Sequence, residues 1–380
     1  MKPVLFVTGH APPDRVGAFA RLHERETVEF ALFGGRSKHG GGDFHGEMPF
    51  PHRYVRQHET ARLAAGGDYR AVVCSTGGRV ALPATWAGAR RGHAPLILWA
   101  SLWAHPRSAT HLFGYQALRR LYRSADAVVT YGPHVSAYVR ARGARNVHVA
   151  AQSVDNSFWR APVTAAPRDW AWPGESEVKF VFAGRPDREK GLGALIEAWQ
   201  TSGLQAPSAA LVLVGMGSGP PWIPAGGAVG SARARMAPPR GSAGLPTSVS
   251  CIEPVPPERL REMYADADVL VAPSIRTRTF REPWGLVVNE AMNRGLPVIA
   301  SDAVGAVAGG LVRDGHNGLV VPAGDSGALA DAMVRLAADP GLRARLGAAG
   351  AQDVCAYTHD AWAEGFSHAL STLGLSRTHC

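Results

Sequence analysis

Four side chains have the types and spacing to handle a phosphorylated, hydroxyl-rich ligand: Arg185, Lys190, Glu282 and Glu290. Arg185 and Lys190 stand in EVKFVFAGRPDREKGLGALIEAWQ (177–200), which reads as a strand, a Gly-bounded loop and a helix with Leu192, Leu195, Ile196 and Trp199 on its inner face. In an α/β sheet, ligands bind beyond the carboxyl ends of the strands. Two cations and free backbone N–H groups at a helix start could hold a diphosphate there without a metal. Solvated loop charges are the alternative reading of that segment taken alone. Glu282 and Glu290 stand in REPWGLVVNEAMNRGLPVIAS (281–301) with seven residues between them, one at a helix entrance and one on the helix. Carboxylates there could accept hydrogen bonds from sugar or ribose hydroxyls. As isolated groups, they could equally be solvated surface charges.

The elements that must position these residues recur along the chain. Apolar runs VLFVTG (4–9), AVVCST (71–76), PLILWAS (95–101), AVVTYG (127–132), KFVFAG (179–184), ALVLVG (210–215), VLVAPS (269–274) and PVIAS (297–301) read as parallel strands buried on both faces. Each is followed by a helical stretch, which predicts two α/β doubly wound sheets. LRRLYRSADAVVTYG (118–132) also aligns with LREMYADADVLVAPS (260–274), with Tyr122 over Tyr264 and Asp126 over Asp268. That echo points to two similar halves. The predicted organisation is a first domain over 1–162, a linker over 163–176, a second domain over 177–355 and a C-terminal segment over 356–380 returning to the first domain. In that segment Trp362, Phe366 and Leu370 share one helical face. The stretch 217–248, rich in Gly, Pro, Ala, Ser and Arg, reads as a surface insertion.

Composition narrows the classes. The chain has 380 residues, 46% hydrophobic and 19% charged, and at about 100 to 200 residues per domain it accommodates two. Cys74, Cys251, Cys355 and Cys380 form no CxxC pair, against a zinc ribbon or disulfide framework. The longest apolar run, PLILWASLWA (95–104), is too short to span a bilayer, so a cytoplasmic protein is expected. Net charge is +9, concentrated in residues 1–160, where 21 Lys and Arg face 10 Asp and Glu. The first half is therefore expected to face something acidic, although 36 of the 40 basic residues are Arg, as a GC-rich genome would also give.

FAGRPDREKG, then EPWGLVVNEAM with GLPVIAS, then VRDGHNGLVVPAGD (312–325) resemble, in that order, the C-terminal domain of glycosyltransferase family 4, retaining enzymes of the GT-B fold. The resemblance implies two Rossmann-like domains facing an interdomain cleft, and transfer of a sugar from a nucleoside diphosphate donor to an acceptor hydroxyl. No obligatory metal or other cofactor and no nucleic acid are implied; the acceptor is a sugar, glycolipid or small molecule. Carried over, it has Gly184, Arg185 and Lys190 meet the donor diphosphate and Glu290 the ribose. Glu282 and the backbone of Trp284, Gly285 and Leu286 would meet the donor sugar and phosphates. His105, in SLWAHP (101–106), matches the histidine that family members place beside the transferred sugar. Gly17, in GHAPPDRVGAFARL (9–22), is the one match to the Gly-rich turn that approaches the donor phosphate. The N-terminal half, which sets the acceptor, resembles the family least. A nucleotide-sugar epimerase or hydrolase of the same fold, or a silent binding subunit, stays open.

Other features have plainer readings. Asp266-x-Asp268 copies a metal signature of a different transferase fold but falls in a helix-to-strand turn and is expected to be structural. His39, His45, His52 and His58 lie in a Gly-rich stretch without metal spacing. The basic segment 107–123 could be an ordinary domain helix, or could rest on an anionic membrane at its inner face.

Overall fold

The computed structural model describes residues 1–34, 48–107, 109–163, 172–216 and 245–377. The chain forms two compact units, one of residues 1–155 with 357–380 and one of 156–356. The division falls before residue 162, because α6 (Asn156–Arg160) packs in the second unit. There the Asn156 side chain donates to the Val354 carbonyl (3.2 Å) and accepts from Asn293 (2.8 Å).

In the first unit the chain runs β1 (Val4–Thr8), α1 (Pro13–Glu26), β2 (Val28–Leu32), β3 (His52–Tyr54), α2 (Thr60–Ala65), β4 (Ala71–Ser75), α3 (Ala81–Arg91), β5 (Leu96–Ala100), α4 (Ala109–Ser124), β6 (Ala127–Thr130), α5 (Pro133–Arg140) and β7 (Val147–Val149). Its seven strands are all parallel, in the order β3-β2-β1-β4-β5-β6-β7. The second unit continues with β8 (Val178–Ala183), α7 (Leu192–Ser202), β9 (Ala209–Val214), β10 (Val249–Ile252), α8 (Pro257–Asp266), β11 (Val269–Ala272), α9 (Leu286–Asn293), β12 (Val298–Ser301), α10 (Gly305–Ala308), β13 (Gly318–Val321), α11 (Ser326–Ala338) and α12 (Pro340–Asp353). Its sheet is also parallel, ordered β10-β9-β8-β11-β12-β13. Two doubly wound Rossmann-like sheets are thus present, as the apolar runs predict. Most of the proposed insertion, residues 217–244, lies outside the described residues, as do 164–171 of the proposed linker and His39 and His45.

The last helix, α13 (His359–Thr372), belongs to the first unit. Trp362, Phe366 and Leu370 are buried on the sheet. Phe366 lies 5.5 Å from Phe6, and Trp362 lies 5.7 Å from Phe19 and 5.6 Å from Trp99, ring centre to ring centre. Past α13 the tail is tied down at a buried carboxylate: Glu26 accepts from Arg70 (2.8 Å) and Ser376 (2.8 Å).

The echo between the halves has a structural meaning. Asp126 accepts from the Leu96 backbone N–H at 2.7 Å, and Asp268 from that of Lys179 at 2.8 Å. Each aspartate also donates its own N–H back to the same residue's carbonyl. In both units an aspartate after a helix clips the start of one strand to its neighbour, with a buried tyrosine, Tyr122 or Tyr264, four residues earlier. Asp266 accepts from the Lys179 ammonium and the Trp172 indole, both at 2.7 Å, so Asp266-x-Asp268 is a structural turn.

His359, at the start of α13, lies against α1, and burial holds its imidazole below the ordinary 6.5, with Asp155 opposing and Arg15 adding to the effect. Burial, with His368 and Arg140, also lowers His148 on β7. The unfolded chain therefore binds these protons first, so folding stability is full at neutral and higher pH and is lost as pH falls through 6.5. Urea midpoints should drop between about pH 8 and about pH 5.5, and the drop should flatten in His359→Asn. An unchanged slope in that variant would refute the assignment.

Candidate functional site

In the second unit the chain leaves β8 toward β9 and β10 on one side, then returns to place β11 on the other side of β8. The strand order reverses between β8 and β11, and the space beyond their carboxyl ends is where such sheets bind ligands. The loop after β8 carries Gly184, Arg185 and Lys190; that after β11 carries Ser274, Glu282, Trp284 and Gly285.

Backbone contacts lock these loops together. The Ile275 N–H donates to the Glu189 carbonyl at 2.8 Å. Gly191 has φ +74°, and a Cβ there would fall on the Pro273 carbonyl oxygen. Only glycine permits that approach. Gly215, just after β9, approaches the carbonyl of Gly184 closely as well: a Cβ there would collide with its oxygen. Lys190 is thereby held at the end of a 3-10 turn (Arg188–Lys190) whose last residue abuts the start of α7.

The side chains follow. Lys190 Nζ makes an ion pair with Glu282 Oε2, across 92 residues of sequence. Glu282 is only 8% exposed, and Ser274 Oγ stands 3.5 Å from the same oxygen. Arg185 Nη1 pairs with Asp187 at 2.7 Å. Glu290 on α9 accepts from Tyr264 Oη at 3.3 Å. Burial, and then Glu290 itself, push the Tyr264 phenol well above 10, so it remains a donor. Trp284 is 2% exposed, and its indole donates to Asn289 Oδ1 at 2.8 Å. Its carbonyl accepts from Ala306 (2.8 Å), which fixes Gly285 (φ +93°) and Leu286 at the start of α9. The Trp284 side chain is thus an anchor for the loop, whose main chain is held in place by it. Asp187 and Ser274 escaped the sequence reading, and Tyr264 entered it only as part of the echo between the halves. Asp187 and Ser274 meet their partners within their own loops, two and eight residues away, whereas Tyr264 on α8 meets Glu290 on α9.

The remaining expected residues lie in the first unit. His105, after β5, packs edge-on against Tyr115 at 4.8 Å, with Nδ1 3.3 Å from Tyr138 Oη. Gly17 does not stand in a Gly-rich turn. α1 starts at Pro13, so Gly17 lies inside the helix, and a Cβ there would run into the His359 ring. Close packing of α1 against α13 explains this glycine, and the expected approach of its backbone to a phosphate is corrected accordingly. Among the described residues no group of three or more His, Cys, Asp or Glu is arranged to hold a metal ion.

Residues 167–353 match the family described as glycosyl transferases group 1. The chain carries a group 1 glycosyl transferase domain. Similar curated proteins include the phosphatidyl-myo-inositol mannosyltransferase of Mycobacterium leprae, 43% identical over 110 residues, 29% of this chain and 28% of that one. The D-inositol 3-phosphate glycosyltransferase of Xylanimonas cellulosilytica is 34% identical over 216 residues, 54% of this chain and 46% of the relative. The matches thus span less than half the length of these relatives. Among solved structures, Anabaena Alr3699/HepE in complex with UDP and glucose is similar over 98% of this chain and 100% of that chain, with TM-score 0.74 and 17% identity. The sucrose-phosphate synthase of Thermosynechococcus elongatus gives 0.71 and 20%, over 98% and 99%. These likenesses show the fold, which is GT-B.

In the group 1 domain, Lys190 and Glu282 should be strongly coupled, because removing either leaves the other charge poorly solvated. Urea denaturation of Lys190→Met, Glu282→Gln and the double variant should give a coupling energy of about 1–3 kcal/mol. Additive effects would show that the pair contributes nothing.

Proposed function

We propose that the protein is a retaining glycosyltransferase that moves a sugar from a nucleoside diphosphate sugar to an acceptor hydroxyl, in cell-envelope polysaccharide, glycolipid or secondary-metabolite biosynthesis. The observation that carries this reading is the meeting of Lys190 and Glu282 where the strand order of the group 1 domain reverses, with Arg185 on the same loop as Lys190. As the bond from the anomeric carbon to the phosphate oxygen breaks, its electron pair leaves with the diphosphate. Arg185 and Lys190 supply positive charge where that negative charge develops, the largest demand of an oxocarbenium-like transition state. Glu290, oriented by Tyr264, accepts hydrogen bonds from ribose hydroxyls, and Glu282 from the sugar. The acceptor oxygen bonds to the anomeric carbon on the face the phosphate leaves, and its proton passes to the departing phosphate. His105, with Nδ1 toward Tyr138, offers Nε2 to a sugar hydroxyl. No metal is required, since the two cations do the work of one. HepE was solved with UDP and glucose, which supports a nucleotide-sugar donor of this kind.

No helix among the described residues is long and apolar enough to cross a membrane. We place the reaction in the cytoplasm, with α4 touching the inner face of the plasma membrane. Among the described side chains of α4, Leu121 and Tyr122 are buried in the core while Arg120 and Arg123 are exposed, so those arginines offer surface charge.

Release of nucleoside diphosphate from a panel of uridine, guanosine and deoxythymidine diphosphate sugars, with EDTA present, tests the reading. One donor should turn over slowly without acceptor; Lys190→Ala should cut kcat by about 100-fold, and Glu290→Ala should raise KM. No binding of any donor, or turnover abolished by EDTA, would refute it.

A further inference from the structure

In the first unit His105 stands in the loop after β5, and α5 follows the next strand, β6. The helix is a firm neighbour. Val135, Tyr138 and Val139 are buried in the core, and Ser136 Oγ stands 2.7 Å from Thr130 Oγ1 at the end of β6. Tyr138 is 6% exposed, and its Oη reaches His105 Nδ1 at 3.3 Å. The Tyr138 carbonyl accepts from Arg142 Nη1 at 2.9 Å, and the same guanidinium lies over the Tyr138 ring, 3.4 Å from its centre. Arg142 also lies 5.6 Å from the centre of the Tyr115 ring, the ring that His105 meets at 4.8 Å.

An imidazole nitrogen and a phenol oxygen can share a proton in either sense, and the sense decides what the imidazole offers at its other nitrogen. Arg142 sets the direction. A cation against the face of a phenol draws on its electron density, which weakens the oxygen as an acceptor and strengthens its O–H as a donor. Burial raises the Tyr138 phenol above 10, with Arg142 opposing, so Oη keeps its proton at neutral pH. Among the described residues, His105 Nδ1 is the one acceptor within hydrogen-bond reach of that O–H.

We infer that Tyr138 is the positioning residue for His105: its hydroxyl donates to Nδ1 and fixes the imidazole as the Nε2–H tautomer, while Arg142 holds and polarises the phenol. The contact of Nε2–H with a sugar hydroxyl oxygen rests on the transferase reading above; the Tyr138–His105 hydrogen bond does not. With Nδ1 committed to Tyr138 and Nε2 protonated, the ring has no lone pair for a further proton. His105 therefore acts as a hydrogen-bond donor and not as a base, which leaves the departing phosphate to take the acceptor's proton.

The test uses the full chain with its histidine ring nitrogens isotope-labelled for NMR, at about pH 8.5, where ordinary imidazoles are neutral. His105 is assigned by loss of its signals in His105→Gln. Nε2 should carry the proton, and Nδ1 should resonate as a hydrogen-bonded acceptor that moves to the free-acceptor position in Tyr138→Phe and by less in Arg142→Met. A proton on Nδ1, or an Nδ1 resonance that Tyr138→Phe leaves in place, would overturn the assignment. With a donor that turns over, Tyr138→Phe should lower kcat/KM about 10-fold. In a His105→Gln background the same substitution should cost nothing more, because it acts through the imidazole. Losses that add across the two positions would overturn the positioning role. If Tyr138→Phe fails to fold, Arg142→Met carries the same comparison, and an Nδ1 resonance unmoved there would overturn the proposal. If no donor turns over while Nδ1 still moves, the transferase reading fails and the Tyr138–His105 hydrogen bond stands.

Discussion

The Pro273 carbonyl oxygen occupies the place that a side chain at position 191 would take, and the candidate site depends on that contact. It brings the loop after β8 against the loop after β11 closely enough for Lys190 to reach Glu282. Neither charge would tolerate its position alone, since each is largely removed from water. A second close approach, Gly305 against the Pro283 carbonyl, and the buried Trp284 hold the far end of the same loop. Rigid backbone contacts thus fix the geometry, and the functional side chains follow from them.

Much of this was legible in the sequence, and the exceptions have a common cause. The eight apolar runs named from sequence all became strands, because central parallel strands are buried on both faces and must be continuously apolar. Of the five strands that went unnamed, β3, β7, β10 and β13 are the sheet edges. Edge strands are short and half solvated, and HRY in β3 is exposed throughout. The fifth, β2, has its apolar run broken by Glu29, whose carboxylate pairs with Arg53 and Tyr69.

At the site, residue types in order identified Arg185, Lys190, Glu282 and Glu290, but not that Lys190 and Glu282 pair, which only the strand order decides. Gly17 was misread because a glycine serving helix packing looks the same in sequence as one serving a turn. Arg15 gave no signal at all. Its burial appears only when β5 and the segments after β6 and β7 bring Trp99, Tyr131 and Gln152 around it. Solvent exclusion by distant segments is the property a linear reading misses.

The central claim is that the loops after β8 and β11 form a nucleoside diphosphate site. A crystal structure of the full chain with a nucleoside diphosphate tests it most directly. The account predicts diphosphate oxygens within hydrogen-bonding distance of Arg185 and Lys190, and ribose hydroxyls on Glu290. A nucleotide bound elsewhere, with the Lys190–Glu282 pair untouched and Glu290 contacting only Tyr264, would contradict it.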